Sequence, residues 1–274
     1  MMRKKWSLFF IMLVSFATIL SACGTGKEKS EGTDKEDNGS KSLRVVTAAE
    51  YAPFEYMDKG EIVGFDIDLI NAVAKEAGYT ISVDNVGWDP LFVEIGEERA
   101  DLSASAITIN DDRKQTYDFS APYFLSTNMI MVKEGSSIKT AGDLKDKKVA
   151  VQNGTTGQDA VEGILGKNNE NVKKFENIPL AIMELKNGGV DAVVADNTVV
   201  EEYVANNPKD KLIVINDEEE FAPEFFGFLL PKGSKLKTDL DEALKAVIDN
   251  GTYTKIYKEW FGVEPKIEKL KEQQ

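Results

Sequence analysis

The sequence predicts an α/β protein made of two successive parallel-sheet units. Three observations carry this. From Leu43 to Ala106, short β-branched runs alternate with segments of helical period. The same alternation starts again at Lys148 and continues to Asn206. The chain has 274 residues, more than one ordinary domain and enough for two cores.

The first residues read as a targeting segment rather than as part of either unit. Arg3, Lys4 and Lys5 precede a largely apolar run from Leu8 to Leu20, and the small residues Ser21 and Ala22 stand before the single cysteine, Cys23. A run of 13 residues falls short of the roughly 20 needed to span a bilayer, and Cys23 has no second cysteine for a disulfide. Leu20-Ser21-Ala22-Cys23-Gly24 resembles the bacterial lipobox, which implies that residues 1–22 are a signal peptide and that Cys23 is lipidated as the first mature residue. Residues 23–42 carry almost only Gly, Ser, Thr, Asn, Lys, Glu and Asp after the cysteine, too little apolar surface for a core. They are expected to be a flexible tether.

The folded part begins with a strand, Leu43 to Thr47. Pro53-Phe54 interrupts, and Asp58-Lys59-Gly60 reads as a hairpin turn before Ile62 and Val63. A helix follows because Ile67, Ile70, Val73, Ala74 and Ala77 recur at helical spacing, with Asp66 as expected cap and Gly78 as left-handed terminator. Thr80 to Val86 is the next strand, Pro90 opens a short helix, and Asp101 to Ala106 is a third strand. In the second unit Lys148 to Val151, Val172 to Phe175 and Val190 to Ala195 are strands; Gln158 to Leu165, Ala181 to Lys186 and Asn197 to Asn206 read as helices. Phe225 to Leu230 reads as one further strand. A helix with Leu236, Leu240, Leu244 and Val247 on its apolar face ends at Gly251, and a last one carries Tyr253, Ile256, Tyr257 and Trp260. Residues 266–274 read as a polar tail.

Composition removes several kinds of chemistry. The formal charge is −14, from 33 basic and 47 acidic residues. Loss of residues 1–22 takes away three bases and no acid, leaving 30 against 47, a net of −17. Such a surface repels polynucleotides, so no nucleic-acid partner is expected. No histidine is present, and no cysteine apart from Cys23. Zinc sites, Ser-His-Asp triads and Cys-His pairs are therefore excluded, and neither metal nor cofactor is expected.

What remains is a set of groups suited to a small charged guest. In parallel α/β sheets ligands gather at the carboxyl ends of strands, which places the loops at 48–54, 87–89 and 105–108 along one edge. The stretch from Ser105 through Ala106 and Thr108 to Arg113 sets a hydroxyl and a guanidinium at such an end. Arginine's planar fork matches a carboxylate, and the Thr108 hydroxyl can donate to an anion or accept from an ammonium. Taken alone, Arg113 reads first as the partner of Asp111, Asp112 or Asp118 on a solvated turn; the rest of the chain favours the carboxylate role. The turn Asn153-Gly154-Thr155-Thr156-Gly157 opens a helix, and its free amides and helix dipole make an anion site, or it is an ordinary strand-to-helix turn. Asp196, just after Ala192 to Ala195, either neutralises an ammonium or caps the following helix. The residues leave both readings open. The natural guest of such groups is a free amino acid.

From Leu43 to Pro265 the chain resembles the family 3 bacterial solute-binding proteins, receptors for polar amino acids in ABC importers. The motifs that match in order are Ala52-Pro53-Phe54-Glu55-Tyr56, Gly64-Phe65-Asp66-Ile67-Asp68-Leu69, Ser105 to Arg113, Asp118-Phe119-Ser120-Ala121-Pro122-Tyr123, Val190-Asp191-Ala192-Val193, and Gly251-Thr252-Tyr253 through Trp260-Phe261-Gly262. The resemblance implies a periplasmic-binding-protein-like fold of type II: two α/β lobes joined by a two-strand hinge, with the cleft between them. Lobe one would be residues 43–132 plus 227–265, and lobe two residues 133–226. It also implies that Arg113 holds an α-carboxylate, assisted by Thr108 and by the backbone amides of Thr108 and Thr156. Asp196 would take the α-ammonium with the Ala106 carbonyl and the Thr108 hydroxyl, and Ser105 and Thr155 would line the same site. Tyr51 and Trp88 would enclose the ligand side chain, with Gln152 reaching it from lobe two.

Many relatives place an aspartate where Ala48 stands, whereas here the acid is Glu50. The run Asn85 to Phe92 with Val151-Gln152-Asn153 looks most like receptors for basic amino acids, arginine foremost, and Glu50 would pair with a guanidinium. The alternative ligand is glutamine or another neutral polar amino acid such as cystine. The resemblance further implies a permease partner, a monomer, and a lipid-anchored position outside the membrane, as in Gram-positive members. No bond-making is expected. Two other classes share the fold: an extracytoplasmic dehydratase or transglycosylase-like module, which would need a cleft carboxylate of raised pKa, and a ligand sensor that does not transport.

Overall fold

The computed structural model describes residues 41–273. Cys23, the targeting segment and nearly all of the tether lie outside the described residues. In chain order the first part contains β1 (Ser42–Thr47), β2 (Glu50–Tyr51), β3 (Glu55–Asp58), β4 (Glu61–Val63), α1 (Phe65–Glu76), β5 (Thr80–Asn85), α2 (Trp88–Gly96), β6 (Leu102–Ser103), α3 (Asp111–Thr116) and β7 (Tyr117–Phe119). Next come β8 (Phe124–Lys133), β9 (Val149–Gln152), α4 (Thr156–Leu165), β10 (Val172–Phe175), α5 (Ile178–Asn187), β11 (Ala192–Asp196), α6 (Asn197–Asn206) and β12 (Leu212–Ile215). The chain then runs through β13 (Pro223–Phe226), β14 (Leu229–Pro231), α7 (Leu236–Asp249), α8 (Thr252–Phe261) and α9 (Ile267–Lys271).

These strands form two main sheets, so the fold is α/β with two lobes. The first has the order β5-β1-β6-β14-β7, with β1 parallel to β5 and β6 and with β14 antiparallel to its neighbours. The second has the order β10-β9-β11-β8-β12, with β9, β10 and β11 parallel and β8 antiparallel to β11 and β12. A small sheet β2-β3-β4 stands apart, closed by the turn at Lys59 and Gly60 where Asp58 pairs with Glu61.

Two antiparallel strands carry the chain between the lobes. The first half of β8 pairs with β13, from Phe124 opposite Phe226 to Thr127 opposite Pro223. From Asn128 onward β8 belongs to the second sheet. The crossing therefore falls at residues 124–127, earlier than an expected lobe-one segment reaching residue 132. Aromatic packing fixes the root of this crossing: Phe124 lies 4.8 Å from Phe54 and 5.6 Å from Phe226 between ring centroids, and Tyr257 and Phe261 of α8 close around it.

Several sequence expectations are corrected here. Asp66 does not cap α1; Gly64 holds that place, and Asp66 is fully buried with its carboxylate turned toward the Ala106 amide. The expected strand 101–106 shortens to Leu102–Ser103 because the chain bends at Ala106, whose φ is 47°. The expected strand 225–230 is two strands of different sheets, β13 and β14, which part at Gly227. A Cβ there would lie 2.8 Å from the Ile109 side chain. Residues 266–274 are not merely a polar tail: α9 buries Leu270 in the core, and Lys271 pairs with Asp249 at the end of α7. Among the described residues no helix is long and apolar enough to cross a membrane.

Candidate functional site

Ends of elements from both lobes enclose a small, narrow cavity. Its walls contain every residue singled out on the folded part: Glu50, Tyr51, Trp88, Ser105, Ala106, Thr108, Arg113, Gln152, Thr155, Thr156 and Asp196. Ala48 and Glu55 complete it. The residues from 48 to 113 belong to the first lobe, and those from 152 to 196 to the second.

Arg113 is held from several sides. Asn110 caps α3 by accepting from the Arg113 amide, which aims the side chain back at the loop after β6. One guanidinium nitrogen donates to the Thr108 carbonyl at 2.9 Å; the other crosses the cleft to the Gly154 carbonyl at 3.1 Å. The guanidinium carbon sits 5.5 Å from the Trp88 ring and 5.4 Å from the Phe92 ring, a stacked arrangement that arginine tolerates because its ion is weakly hydrated. The solvated-turn reading therefore fails, and Asp118 instead pairs with Lys232. Burial lowers the Arg113 pKa from its ordinary value, opposed by the charges of Glu224, Asp159 and Asp196. An arginine remains protonated regardless.

Asp196 faces Arg113 from the other lobe. Its carboxylate does not cap α6. It accepts from the Tyr51 hydroxyl at 2.6 Å and from the Ser126 hydroxyl at 2.6 Å. Burial pushes its pKa up to about 6, with the Glu224 charge adding to the rise and the two hydroxyls and Arg113 opposing it. Tyr51 therefore bridges the lobes through its phenol, and Trp88 spends a ring face on Arg113. Both line the cavity, but each has a partner the sequence did not disclose. The Trp88 indole nitrogen is buried with no hydrogen-bond partner, close to the Gly154 turn.

Below the cavity lies a layer of buried acids. Ser105 donates to Glu55 at 2.8 Å and accepts from the Ala48 amide at 3.1 Å, so its hydroxyl braces the wall. Asp66 accepts from the Ala106 amide at 2.7 Å and from the Tyr123 hydroxyl at 2.7 Å. That bond holds Ala106 in a left-handed conformation, which a residue with a Cβ adopts only when its surroundings enforce it. Burial pushes Glu55 well above the usual carboxylate range, with the Asp66 charge contributing, and raises Asp66 as well. Both acids stand within the family motifs around Phe54 and Phe65, but nothing in their local sequence discloses this role.

On the second lobe, Thr155 caps α4 by accepting from the Gln158 amide and donates to the Gln152 carbonyl. The amide of Gly154 is taken by the Gln158 side chain, so the first amides of α4 itself form the anion-attracting end. Glu50 receives a hydrogen bond from Asn177 across the cleft; burial raises its pKa despite that bond. Glu224, a residue that no sequence motif singled out, accepts from both Thr108 and Thr156. Among the described residues no group of acids, histidines or cysteines has the geometry of a metal site.

A two-lobed α/β frame with a charged cleft at its hinge has a matching family. Residues 43–263 match the model of the bacterial extracellular solute-binding proteins, family 3. The chain belongs to that family. Among members of the family, a probable histidine-binding protein of Neisseria gonorrhoeae is 41% identical over 267 residues, 96% of this chain and 98% of that one. The arginine-binding extracellular protein ArtP of Bacillus subtilis (strain 168) is 34% identical over 260 residues, covering 94% and 98%. The crystal structure of the arginine-, lysine-, histidine-binding protein ArtJ of Geobacillus stearothermophilus superposes with a TM-score of 0.83 at 56% identity, covering 84% of this chain and all of that one.

Proposed function

We propose that this chain captures a free basic amino acid, arginine foremost, in the cleft between its lobes. The observation that carries the reading is the pairing of Arg113 and Asp196 across one cavity, a cation and a carboxylate contributed by opposite lobes. A zwitterion with its carboxylate on Arg113 and its ammonium on Asp196 joins the lobes. The charge count favours a basic side chain. Among the described lining residues Arg113 is the one cation, against Glu50, Glu55 and Asp196, with Glu224 just outside. Even with Glu55 protonated, a guest of net positive charge balances the site, and opposite charges 4 Å apart attract by about 4 kcal/mol at an effective dielectric of 20. Glu50, on the same cavity wall, would take the distal cation. The names of the relatives agree with this reading.

Calorimetric titration of residues 39–274, a compact unit, against arginine, lysine, histidine, glutamine and cystine tests it. Arginine, lysine or histidine should bind with micromolar or better affinity, and Glu50→Gln should weaken these by about tenfold while sparing glutamine. Binding of glutamine or cystine alone would refute the basic ligand. A dehydratase would draw its acid from Glu55, whose pKa is raised; ligand recovered chemically unchanged after long incubation argues for capture, and conversion for an enzyme.

The same proposal includes delivery to an ABC permease and anchoring through a lipid on Cys23 outside the membrane, as a monomer. The mature N-terminus, read by mass spectrometry, should carry diacylglycerol on Cys23. Release of a Cys23→Ala variant into the medium would support the anchor, and its retention on cells would count against it.

A further inference from the structure

Glu224 sits on β13, one of the two strands that join the lobes, opposite Ser126. Its carboxylate receives three donors. One oxygen accepts from the Thr108 hydroxyl at 2.8 Å and from the Thr156 hydroxyl at 2.8 Å, and the other accepts from the Asn128 side-chain amide at 2.9 Å. Thr108 comes from the first lobe and Thr156 opens α4 in the second, so a single hinge residue holds one hydroxyl from each wall of the cavity.

The consequence lies in the direction of the hydroxyl protons. A hydroxyl has one proton to give and two lone pairs to receive with, whereas a carboxylate has nothing to give. Both threonine protons therefore point at Glu224. What the Thr108 and Thr156 hydroxyls offer to the cavity is lone pairs, which accept from an ammonium and repel a carboxylate oxygen. The ligand carboxylate is left to Arg113 and to backbone amides, while the hydroxyls join Asp196 in favouring positive charge. Asn128 fixes the far oxygen of Glu224, so the carboxylate cannot swing away and release them.

We propose that Glu224 is a positioning residue: it turns the hydroxyls of Thr108 and Thr156 into acceptors, and so selects molecules bearing an α-ammonium over the same molecules without one. This rests on the amino acid reading above. Glu224→Gln keeps the side-chain length but offers one acceptor and one donor. With its amide nitrogen toward the threonines, their protons turn into the cavity.

The test compares the wild-type chain and Glu224→Gln by calorimetry with three pairs: arginine and 5-guanidinopentanoate, lysine and 6-aminohexanoate, histidine and imidazole-4-propanoate. In the variant the amino acid should weaken by about 10- to 100-fold, the scale of a hydrogen bond to a charged group, while its partner lacking the ammonium holds or gains. The ratio between them then collapses. An unchanged ratio, including equal losses for both members of a pair, overturns the inference. Should Glu224→Gln fail to fold, Thr156→Val carries the same comparison: a narrowed ratio supports the assignment, and an unaltered one refutes it. Wild-type chain that binds none of the three amino acids sinks the amino acid reading and this inference together; wild-type binding with an unaltered variant ratio sinks this inference alone.

Discussion

Asp196 shows how one side chain links binding to pH. Its ordinary pKa of 3.8 is pushed up to about 6, first by burial and then by the Glu224 charge. The native chain thus holds a proton here more readily than the unfolded chain. The ionised form weakens the fold above pH 6, and the weakening is relieved as pH falls through 6 toward 4. A two-unit shift is worth about 3 kcal/mol at most. In the proposed binding mode the ligand's α-ammonium needs the ionised form, so binding and stability should respond to pH in opposite directions. Affinity for arginine should fall toward tenfold per unit below pH 6, and Asp196→Asn should lose both binding and that slope while melting higher than wild type at pH 8. Calorimetry between pH 5 and 8 checks it; a flat profile would remove Asp196 as the ammonium partner. The sequence placed Asp196 at a strand end but could not choose between binder and cap. What removes the cap reading is the pair of hydroxyls from Tyr51 and Ser126, separated from it by 145 and 70 residues, and no local pattern carries such distant partners.

At the scale of elements, α4 lies against β11 closely enough to need a glycine. A Cβ on Gly157 would stand 3.0 Å from the Val194 carbonyl oxygen and 3.1 Å from the Asn128 side-chain oxygen. Gly157→Ala should push the start of α4 outward by a few tenths of an ångström, carrying Thr156 and the first helix amides away from Arg113. About 1 to 2 kcal/mol of stability should be lost, with a several-fold fall in ligand affinity; wild-type melting and affinity would show that the contact relaxes freely. The strand–helix alternation was readable because hydrophobic period is a local property. The strand pair crossing between the lobes was not. Phe225 to Leu230 reads as one apolar run, yet it serves two sheets, and only the closeness of Ile109 to Gly227 reveals where it divides. Glu224 was hidden for the same reason: after the acidic run Asp217 to Glu220 it resembles a solvated residue, and its threonine partners come from elements far away in the chain. Leu270 was hidden within a polar segment, since one apolar residue makes no period.

For the whole molecule, the issue is what holds the lobes together around the cavity. Among the polar contacts that cross it directly are Tyr51 to Asp196 at 2.6 Å, Arg113 to the Gly154 carbonyl at 3.1 Å, Asn153 to Asp89 at 3.5 Å, and Asn177 to Glu50. The first is short and involves a buried charge, the kind of hydrogen bond worth about 1.5 to 3 kcal/mol. A closed form favoured over an open one by only a few kcal/mol is sensitive to losing it, because each 1.4 kcal/mol changes the population ratio tenfold. Tyr51→Phe keeps the ring against Phe54 and removes only the hydroxyl. Without ligand, its radius of gyration by small-angle scattering should exceed that of wild type, and saturating arginine should bring the two together. Affinity should fall by about tenfold. The same deletion takes away a bond that lowers the Asp196 pKa, so the pH at which affinity begins to fail should move upward from about 6. An opened molecule with an unmoved pH midpoint would separate closure from the charge on Asp196. Scattering identical to wild type would mean that the hinge strands and the Arg113 bridge hold the lobes without the phenol.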